Sequence, residues 1–444
     1  MALTFRGGIH PEDNKKETKS KAIETPTPPV KVVIPLSMHI GAPCEPLVKV
    51  GDYVKLGQKI GESGAAVSAP VHSSVSGTVL EIAPYVHPNG TRVMSVSIEN
   101  DYADTPYDGC KKRSREQIAA LKPGQITELI REAGIVGLGG AAFPTHVKIK
   151  SSVGKVDTLI INCAECEPYI TSGYRGMLEN TESIVRGTAL IMRAVGLKDA
   201  IIAVESNKLD AAGVFEGVIS RVGAPITVKV VRTKYPQGGE KQLIYALTKR
   251  EVPPGQLPAA VKCAVFSSET CAAVYTAVSE GMPITTRVVT VAGSAVANPK
   301  NLCVRVGTAF ENLFSAAGGF LEEPYKIIMG GPMMGSAVYS TDSPVIKSTN
   351  ALLAFSKNEE KFEEEPTCIR CSRCVSACPM NLMPVYIAMY YNKSRFDKLA
   401  ELNVSDCIEC GSCSYVCPGR LHLTHTCRAA KARLIELDRK GAVK

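Results

Sequence analysis

The sequence has no tryptophan, and only 6% of its residues are aromatic. Grooves that stack unpaired bases depend on such side chains, so single-stranded nucleic-acid binding is not supported. The formal net charge of +8 is small for 444 residues; it permits contact with an acidic protein or lipid surface but does not argue for nucleic acid. The seven histidines are scattered, and no convincing nucleophile or general acid–base pair stands out. Catalysis by side chains alone is therefore not predicted.

Long apolar runs are absent as well. No stretch approaches the ~18 uninterrupted apolar residues of a membrane-spanning helix. The first residues, MALTFRGGIHPEDNKK, lack the charged-then-apolar layout of a signal peptide. With 45% apolar and 21% charged residues, the composition is ordinary for soluble globular proteins. We therefore predict an intracellular protein of about three domains, at ~150 residues for each domain.

Cysteine, in contrast, is abundant, with sixteen residues. Eight of these form two runs with the same spacing, C-x2-C-x2-C-x3-C-P, which begin at Cys368 and Cys407. This is the run of bacterial ferredoxins, in which the fourth cysteine ligates the other cluster. On that pattern, one [4Fe–4S] cluster takes Cys368, Cys371, Cys374 and Cys417, and the other takes Cys407, Cys410, Cys413 and Cys378.

A pair of structural zinc sites is the alternative for these runs, because C-x2-C pairs also bind zinc. Zinc needs four ligands around one ion and gives no reason for a third evenly spaced cysteine and a trailing Cys-Pro, twice. The remaining cysteines are expected to be small buried hydrophobic residues in a reducing compartment. They are Cys44, Cys110, Cys163, Cys166, Cys263, Cys271, Cys303 and Cys427.

The chain before these runs changes pattern several times. Residues 1–30 are predicted to form an N-terminal arm that lies on another surface or is mobile, since the part after His10 is polar and rich in proline. Residues 31–110 carry short β segments with glycine turns and resemble the biotinyl/lipoyl-type barrel-sandwich. A carrier of that type presents a lysine in the turn between its halves, but the turn at 62–66 reads ESGAA. We therefore predict a structural module.

Alternating helices and strands follow in residues 111–283. A helix is predicted at 127–133, strands at 156–161, 199–205 and 225–231, and a further helix at 209–219. This pattern favours an α/β domain with a largely parallel sheet, whose ligands bind beyond the carboxyl ends of the strands.

Residues 284–350 resemble the SLBB β-grasp domain. The segments that carry this resemblance are 288–293, 303–308 and 327–335, together with a helix at 310–317. Residues 351–444 are assigned to the ferredoxin-type domain, and an acidic stretch at 359–365 links the SLBB domain to the cysteine runs. A basic helix is predicted at 426–438, with a solvated charged face as the ordinary interpretation and docking to a membrane partner as the alternative.

Three segments of the α/β domain combine glycine with polar groups. Residues 137–145 (GLGGAAFPT) hold three glycines that expose backbone N–H groups and let a ligand approach closely. The strand at 156–161 ends in NCAECEPY, and residues 235–240 read YPQGGE. Polar groups at the tip of a buried strand are suited to hydrogen bonding with a flat heteroaromatic ligand.

Together these segments resemble the flavin- and NADH-binding subunit of respiratory complex I. With FRGGIHP at residues 5–11, the barrel-sandwich and the SLBB domain, the whole chain is closer still to the RnfC family, which belongs to the membrane-associated Rnf ferredoxin:NAD⁺ oxidoreductase complexes. The resemblance implies a multidomain α/β protein with a barrel-sandwich, a Rossmann-like flavin/NADH domain, an SLBB β-grasp domain and a mainly helical 2[4Fe–4S] ferredoxin-type domain.

The resemblance also implies a cofactor site. Glu167 and Glu240 would contact NAD(H), and Lys148 falls where the family places a lysine near the flavin phosphate. Residues expected around FMN are Gly137, Gly139, Gly140, Ala141, Phe143, Lys148, Asn162, Glu165, Tyr235, Gly238 and Thr270. Gly239 and Ser267 complete the expected site, although both depart from the complex I pattern. The departures are Leu138 for arginine, Ala142 for glycine, Ala164 for aspartate, Gly239 for glutamate and Ser267 for asparagine.

The predicted function is hydride exchange between NAD(H) and FMN, followed by single-electron transfer through two [4Fe–4S] clusters to membrane partner subunits, coupled to Na⁺ or H⁺ transport. The protein would lie peripherally on the cytoplasmic side of the cell membrane. Two alternatives stay open: a soluble NADH:acceptor flavoprotein of the diaphorase type, and a non-enzymatic electron-wire or scaffold subunit, which the five departures motivate.

Overall fold

The computed structural model describes residues 3–359 and 367–439. The strands in chain order are β1 Ile23–Glu24, β2 Lys31–Pro35, β3 Glu45–Pro46, β4 Tyr53–Val54, β5 Lys59–Glu62, β6 Val71–His72, β7 Gly77–Val86, β8 Arg92–Asn100, β9 Thr158–Cys163, β10 Ala200–Glu205, β11 Ile226–Val231, β12 Cys263–Ser267, β13 Thr286–Ala292, β14 Lys300–Arg305, β15 Lys326–Met329, β16 Ser336–Val338 and β17 Ala351–Phe355.

The α-helices are α1 Arg115–Ala120, α2 Pro123–Glu132, α3 Thr145–Ser152, α4 Ser172–Glu179, α5 Thr181–Val195, α6 Leu209–Val222, α7 Glu240–Thr248, α8 Ser268–Glu280, α9 Phe310–Ala316, α10 Arg373–Ala377, α11 Pro384–Asn392, α12 Asp397–Glu401, α13 Ser412–Tyr415 and α14 Leu423–Arg439. Short 3₁₀ turns lie at Pro258–Val261, Lys357–Glu359 and Val404–Asp406.

The α/β domain is built on a parallel sheet in the order β11-β10-β9-β12. The predicted parallel arrangement is therefore confirmed. The strand predicted at 156–161 begins two residues later, at Thr158, because its neighbour β12 begins opposite it at Cys263. The helix predicted at 127–133 begins earlier, at Pro123, since proline at the first helical position is pre-set for a helix.

The barrel-sandwich is made of two antiparallel sheets. One has the order β2-β8-β7-β4 and the other β3-β5-β6. Their inner faces bury residues such as Val32, Ile34, Val96 and Ile98, which are fully inaccessible to solvent. The turn at 62–66 follows β5 and leads into the segment before β6.

The SLBB region forms one sheet in the order β1-β14-β13-β17-β15-β16. β17, which begins just past the domain boundary predicted between residues 350 and 351, pairs with both β13 and β15 and so belongs to this sheet. Pairing across the middle of a sheet is a tertiary property that local sequence does not reveal. The predicted acidic linker at 359–365 lies outside the described residues, apart from Glu359.

The N-terminal arm packs on other regions of this chain. β1 adds in parallel to β14, Leu3 pairs with Val231, and Ile9 pairs with Tyr235. Lys15 is buried against the α/β domain. The arm therefore connects the α/β domain with the SLBB sheet.

The cysteine-containing region is mainly helical, as predicted. The basic helix predicted at 426–438 is observed as α14 and begins three residues earlier, at Leu423. Among the residues that the structure describes, no helix has the length and apolarity needed to cross a membrane.

Candidate functional site

A cavity of about 430 Å³ lies beyond the carboxyl ends of β9 and β12. This volume is within the range of ~300–1,000 Å³ that is usual for small-molecule sites. The wall is formed by the segment after β9, the turn before α7, the start of α8, and residues from the SLBB and cysteine-containing regions. The cavity is thus at the position where parallel α/β sheets bind ligands.

Nine of the fifteen predicted cofactor residues line this cavity, and six do not. The lining residues are Gly139, Asn162, Glu165, Glu167, Tyr235, Gly238, Gly239, Glu240 and Ser267. The other six are Gly137, Gly140, Ala141, Phe143, Lys148 and Thr270. Four of these six belong to the glycine loop, whereas Lys148 lies in α3 and Thr270 lies in α8.

The glycine loop lies between α2 and α3 and is closed by backbone contacts. The N–H of Gly137 donates to the carbonyl of Phe143 at 2.9 Å, and the N–H of Leu138 donates to Oγ1 of Thr270 at 3.0 Å. Thr270 is in turn 2.8 Å from the hydroxyl of Ser267. The first turn of α8 therefore holds the loop at the edge of the cavity.

Glycine is needed at two positions in the cavity wall because atoms of neighbouring residues lie very close to the backbone there. A Cβ at Gly139 would lie 3.0 Å from Cβ of Ser267, and a Cβ at Gly238 would lie 2.6 Å from the carbonyl oxygen of Ala164. Side chains at these positions would therefore displace the wall. A wall kept free of side chains in this way fits a flat ligand that contacts backbone.

Asn162, at the end of β9, uses both ends of its amide on the protein. Nδ2 donates to the carbonyl of Gly238 at 2.8 Å, and Oδ1 accepts from the N–H of Ala164 at 3.0 Å. The side chain thereby joins the tip of β9 to the turn before α7. It shapes the cavity by fixing these two segments.

Three helices begin at the cavity, namely α4, α7 and α8. Ser172 and Gly173 of α4, Glu240 and Lys241 of α7, and Ser268 and Glu269 of α8 all line it. Free N–H groups and the helix dipole make the starts of α7 and α8 favourable for a phosphate group. At α4 the first three N–H groups already donate to Thr290 and Glu165. Acidic side chains here are paired: Nζ of Lys148 lies 2.7 Å from Oε1 of Glu240, and Arg287 lies 2.8 Å from Oε2 of Glu269.

Glu165 is held in a buried charged group beside the cavity. Its Oε1 accepts from the N–H of Gly173 at 2.7 Å, and Nζ of Lys15 lies 3.4 Å from Oε2 and 2.7 Å from the Glu165 carbonyl oxygen. A second buried pair, Lys208 with Glu205 at 2.8 Å, adjoins it. Burial raises the pKa of Glu165 and lowers the pKa of Lys15, and their mutual attraction opposes both shifts.

Glu167 is directed toward the SLBB region. Its two carboxylate oxygens accept from the backbone N–H groups of Met333 and Met334 at 3.1 and 3.0 Å. Burial raises the pKa of Glu167 to about 7, although these two hydrogen bonds oppose the shift. The carboxylate therefore fastens the SLBB loop to the cavity wall.

Four of the eight run cysteines surround one cavity. They are Cys378 from the first run and Cys407, Cys410 and Cys413 from the second. In the other group, Cys374 packs beside Cys417. This crossed arrangement of the fourth cysteines fits the ligand sets expected for two [4Fe–4S] clusters.

The two cysteine runs make equivalent local hydrogen bonds. In each run the first cysteine sulfur accepts from the N–H two residues later, at Arg370 and Glu409, with donor–sulfur distances of 3.4 Å. The fourth cysteine sulfur accepts from the N–H four residues later, at Leu382 and Leu421. Backbone N–H groups aimed at thiolate sulfurs suit cluster ligands.

The described residues contain no group of three Cys, His, Asp or Glu placed to share a single metal ion.

The cofactor cavity and the cysteine region share a wall. Ile408, which lies between two of the run cysteines, lines the cavity. Tyr235 lines it as well, and its hydroxyl donates to the carbonyl of Cys410 at 2.6 Å. Tyr235 is only 1% exposed and belongs to an apolar cluster with Ile9, Ala377 and Cys410. The group of Cys378, Cys407, Cys410 and Cys413 is therefore adjacent to the cavity.

The sequence did not predict several residues of the site. Cys163 and Cys166 line the cavity, although both were expected to be only core residues. Both lie in the segment NCAECEPY, so its position at a strand tip was an available signal. Met334, Ile408 and Lys15 come from other regions of the chain, and only the tertiary structure brings them to the site.

Four protein families match successive parts of the chain. The RnfC barrel sandwich hybrid domain matches residues 3–103, and the Nuo51 FMN-binding domain matches residues 130–276. The SLBB domain matches residues 288–337, and a 4Fe-4S dicluster domain matches residues 360–418.

Solved structures of NAD⁺-reducing [NiFe]-hydrogenase resemble the fold. The air-oxidised form gives a TM-score of 0.50 at 20% identity, covering 63% of this chain and 54% of the hydrogenase chain. The H₂-reduced form gives a TM-score of 0.52 at 18% identity, covering 74% and 63%. These likenesses concern the fold alone.

Two relatives, both RnfC subunits, are similar over nearly the full length. The one from the proton-translocating ferredoxin:NAD(+) oxidoreductase complex of Clostridium ljungdahlii is 44% identical over 402 residues, which cover 90% of this chain and 87% of the relative. The one from the Na(+)-translocating complex of Acetobacterium woodii is 43% identical over 441 residues, which cover 99% and 98%. The chain therefore belongs to the RnfC family of ion-translocating ferredoxin:NAD(+) oxidoreductase complexes, the Rnf complexes.

Proposed function

We propose that this chain is the NAD(H)-reacting, flavin- and iron–sulfur-containing subunit of a ferredoxin:NAD⁺ oxidoreductase complex. The observation that carries the proposal is the shared wall, in which Ile408 and Tyr235 bring the cysteine runs directly against the cofactor cavity. When bound, FMN exchanges electrons in pairs with NAD(H) and singly with one-electron carriers such as [4Fe–4S] clusters. The protein supplies position and electrostatics for that chemistry.

The residues that hold FMN are those of the cavity and its supports. The N-termini of α7 and α8 favour the phosphate, and Lys148 lies at the start of α7, where its Nζ pairs with Glu240. Gly139 and Gly238 give the ring access to backbone, and Asn162 keeps the two sides of the wall at a fixed spacing. Glu165, Gly239, Ser267 and Thr270 complete the site, with Gly137, Gly140, Ala141 and Phe143 forming the loop.

NAD(H) enters from the open side of the same cavity. Glu240 lies there and is partly exposed, so it is suited to contact the nucleotide. Glu167 is instead fastened to the SLBB loop, so its contribution is to keep Met334 in the wall. The fit of Glu167 to a direct nucleotide contact is therefore weaker than the sequence resemblance implies.

The position of the cysteines gives an order for electron transfer. The group with Cys378, Cys407, Cys410 and Cys413 adjoins the cavity, whereas Cys368 and Cys371 of the other group are exposed. A cluster held by the first group would therefore lie nearer the cavity than one held by the second. The exposed cysteines Cys368 and Cys371 would leave the second cluster accessible to a partner subunit.

The partners are the membrane-embedded and iron–sulfur subunits of the same complex, and the chain associates peripherally with the cytoplasmic side of the cell membrane through them. The names of the two relatives support coupling to ion transport, but one specifies protons and the other Na⁺. Either ion is compatible with the proposal.

The test uses the full chain purified anaerobically and reconstituted with FMN, iron and sulfide. We expect flavin retention, about eight iron atoms per chain, and NADH-dependent dye reduction. Lys148→Met should weaken FMN binding, because it removes the charge beside the phosphate-favouring helix ends. The exposed Lys229→Met is the matched control and should bind FMN normally.

Three outcomes decide among the candidates. No affinity for FMN would leave an electron-wire or scaffold subunit. Flavin and NADH activity in a chain recovered free of membranes would favour a soluble flavoprotein of the diaphorase type. Recovery with hydrophobic partner subunits, released by high salt or detergent, supports the proposal.

A further inference from the structure

A short segment of the arm lies between the cofactor cavity and a cysteine run. It comprises residues 5–10, FRGGIH, which the function described above does not use. The N–H of Gly8 donates to the carbonyl of Ala377 at 2.8 Å. On its other side, Ile9 and Tyr235 exchange both backbone hydrogen bonds, at 2.8 and 2.9 Å. One segment thus contacts the cavity wall and the residue before a cluster cysteine.

Two glycines allow this close fit. Gly7 and Gly8 both have left-handed backbone angles, with φ of +70° and +74°. A Cβ at Gly7 would lie 2.5 Å from the carbonyl oxygen of Cys378, and a Cβ at Gly8 would lie 2.5 Å from the carbonyl oxygen of Tyr235. Any side chain at Gly7 would therefore push the cysteine run away from the segment.

Both ends of the segment are anchored. Phe5 and Ile9 are each only 6% exposed. Nζ of Lys234 donates to the carbonyl of Phe5 at 3.1 Å and lies 4.6 Å from the centre of its ring. Ile9 packs in the apolar cluster that contains Tyr235 and Cys410. The segment is therefore fixed to the cavity wall more firmly than a loose arm would be.

We propose that residues 5–10 are a positioning element that sets the separation between the cofactor cavity and the cluster of Cys378, Cys407, Cys410 and Cys413. The inference rests on the proposed function and adds a role for a segment outside both cofactor domains. Electron transfer between two cofactors slows steeply as their separation grows, so a spacer that fixes one cluster ligand against the cavity controls that step.

The experiment compares Gly7→Ala with Gly90→Ala in the full chain carrying FMN and both clusters. Gly90 is also left-handed, with φ of +88°, but a Cβ there would meet nothing within 4 Å. The pair therefore shares the backbone strain and differs in the contact with Cys378. Two measurements are made: stopped-flow rates of flavin and cluster reduction by NADH, and EPR spectra of the dithionite-reduced clusters.

In Gly7→Ala we expect flavin reduction and direct flavin-to-dye activity to match Gly90→Ala. Cluster reduction should be several-fold slower, and the EPR spectrum of one of the two clusters should shift. Ile9→Ala, which removes packing without adding a clash, should change the same two measurements in the same direction and to a smaller extent. It decides the question if Gly7→Ala does not fold.

Unchanged cluster rates and spectra in these variants would overturn the proposal. Equal slowing of flavin and cluster reduction would also overturn it, because that result indicates general loosening of the domain. Failure of the proposed function is a separate outcome, seen in the unmodified chain as a lack of FMN or of reduction by NADH. In that case the EPR shift on dithionite reduction still tests the positioning role.

Discussion

The polar residues of the site differ in how far their side-chain groups are already bonded to other parts of the protein. Asn162 has both amide ends bonded to backbone, and Glu240 is ion-paired with Lys148 while still partly exposed. The family resemblance predicted both as ligand contacts. The hydrogen bonds of Asn162 join two segments of the cavity wall, whereas Glu240 lines the cavity with its side chain 40% exposed.

Glu167 gives a prediction on stability and pH. Because burial raises its pKa to about 7, the folded state binds a proton more tightly than the unfolded chain. Protonation of Glu167 therefore contributes most to the free energy of unfolding below about pH 4.5, and this contribution is lost as the pH rises to about 7. At 1.36 kcal/mol for each pKa unit, the loss is up to about 3 kcal/mol.

Glu167→Gln should remove this pH dependence, since the amide keeps an acceptor for the SLBB loop and does not titrate. Denaturation midpoints measured from pH 5 to pH 8 should fall less in the variant than in the unmodified chain. The exposed Glu17→Gln serves as the control and should leave the profile unchanged. Parallel profiles for Glu167→Gln and the unmodified chain would show that the carboxylate is already ionised across this range.

At the scale of the elements, the contact of α5 with α8 fixes the position of α8 beside the cavity. Gly187 lies at the crossing, and a Cβ there would collide with the carbonyl oxygen of Cys271. The close approach brings α8, whose first residues line the cavity, onto the long helix α5. A helix propensity scale would not identify this glycine as necessary.

Gly187→Ala is expected to destabilise the protein by about 1–3 kcal/mol, because overpacking outweighs the gain in helix propensity. In α6, Gly217 is exposed and a Cβ there would meet nothing within 4 Å. Gly217→Ala should therefore stabilise by about 0.5–1 kcal/mol. Chemical denaturation of both variants measures the contrast. A stabilising effect of Gly187→Ala would show that the two helices can separate at little cost.

At the scale of the whole molecule, a buried lysine joins three regions. Nζ of Lys347, after the SLBB sheet strand β16, donates to the carbonyls of Pro70 in the barrel-sandwich and Gly134 after α2, both at 2.8 Å. Lys347 is 1% exposed, and burial lowers its pKa to about 8. The charge is tolerated because two carbonyl oxygens face it.

Lys347→Met should destabilise the chain by about 1–3 kcal/mol, since two buried carbonyls lose their donor while an apolar side chain is gained. Thermal unfolding compared with Lys229→Met, at an exposed site, measures the effect. A neutral result would indicate that water replaces the amine at this joint.

The crossed cysteine sets give a prediction for paired substitutions. Cys368→Ser with Cys417→Ser removes two ligands of one expected cluster, so about four iron atoms should remain. Cys368→Ser with Cys378→Ser damages both clusters, so iron should fall well below that value. Iron analysis and EPR distinguish the pairs. The reverse order of iron contents would mean that each run binds its own cluster.

The sequence by itself determined the features that depend on local spacing. The cysteine runs, the glycine loop and the parallel strands follow from motifs and periodicity, because nearby residues create those patterns. The order of domains followed from the resemblance to a known family. Boundaries shifted by two or three residues where pairing partners, such as β12 opposite β9, decided the strand ends. The placement of β17 in the SLBB sheet was missed for the same reason.

Only the tertiary structure decided which distant segments meet. Ile408 and Met334 in the cavity wall, Lys15 beside Glu165, and the contact of Gly7 with Cys378 join residues that are far apart in the chain. No local pattern encodes such contacts, since they arise from packing of whole domains against one another. Spacing within a run therefore identifies the ligands, whereas domain packing sets how the ligands of one site lie relative to the next.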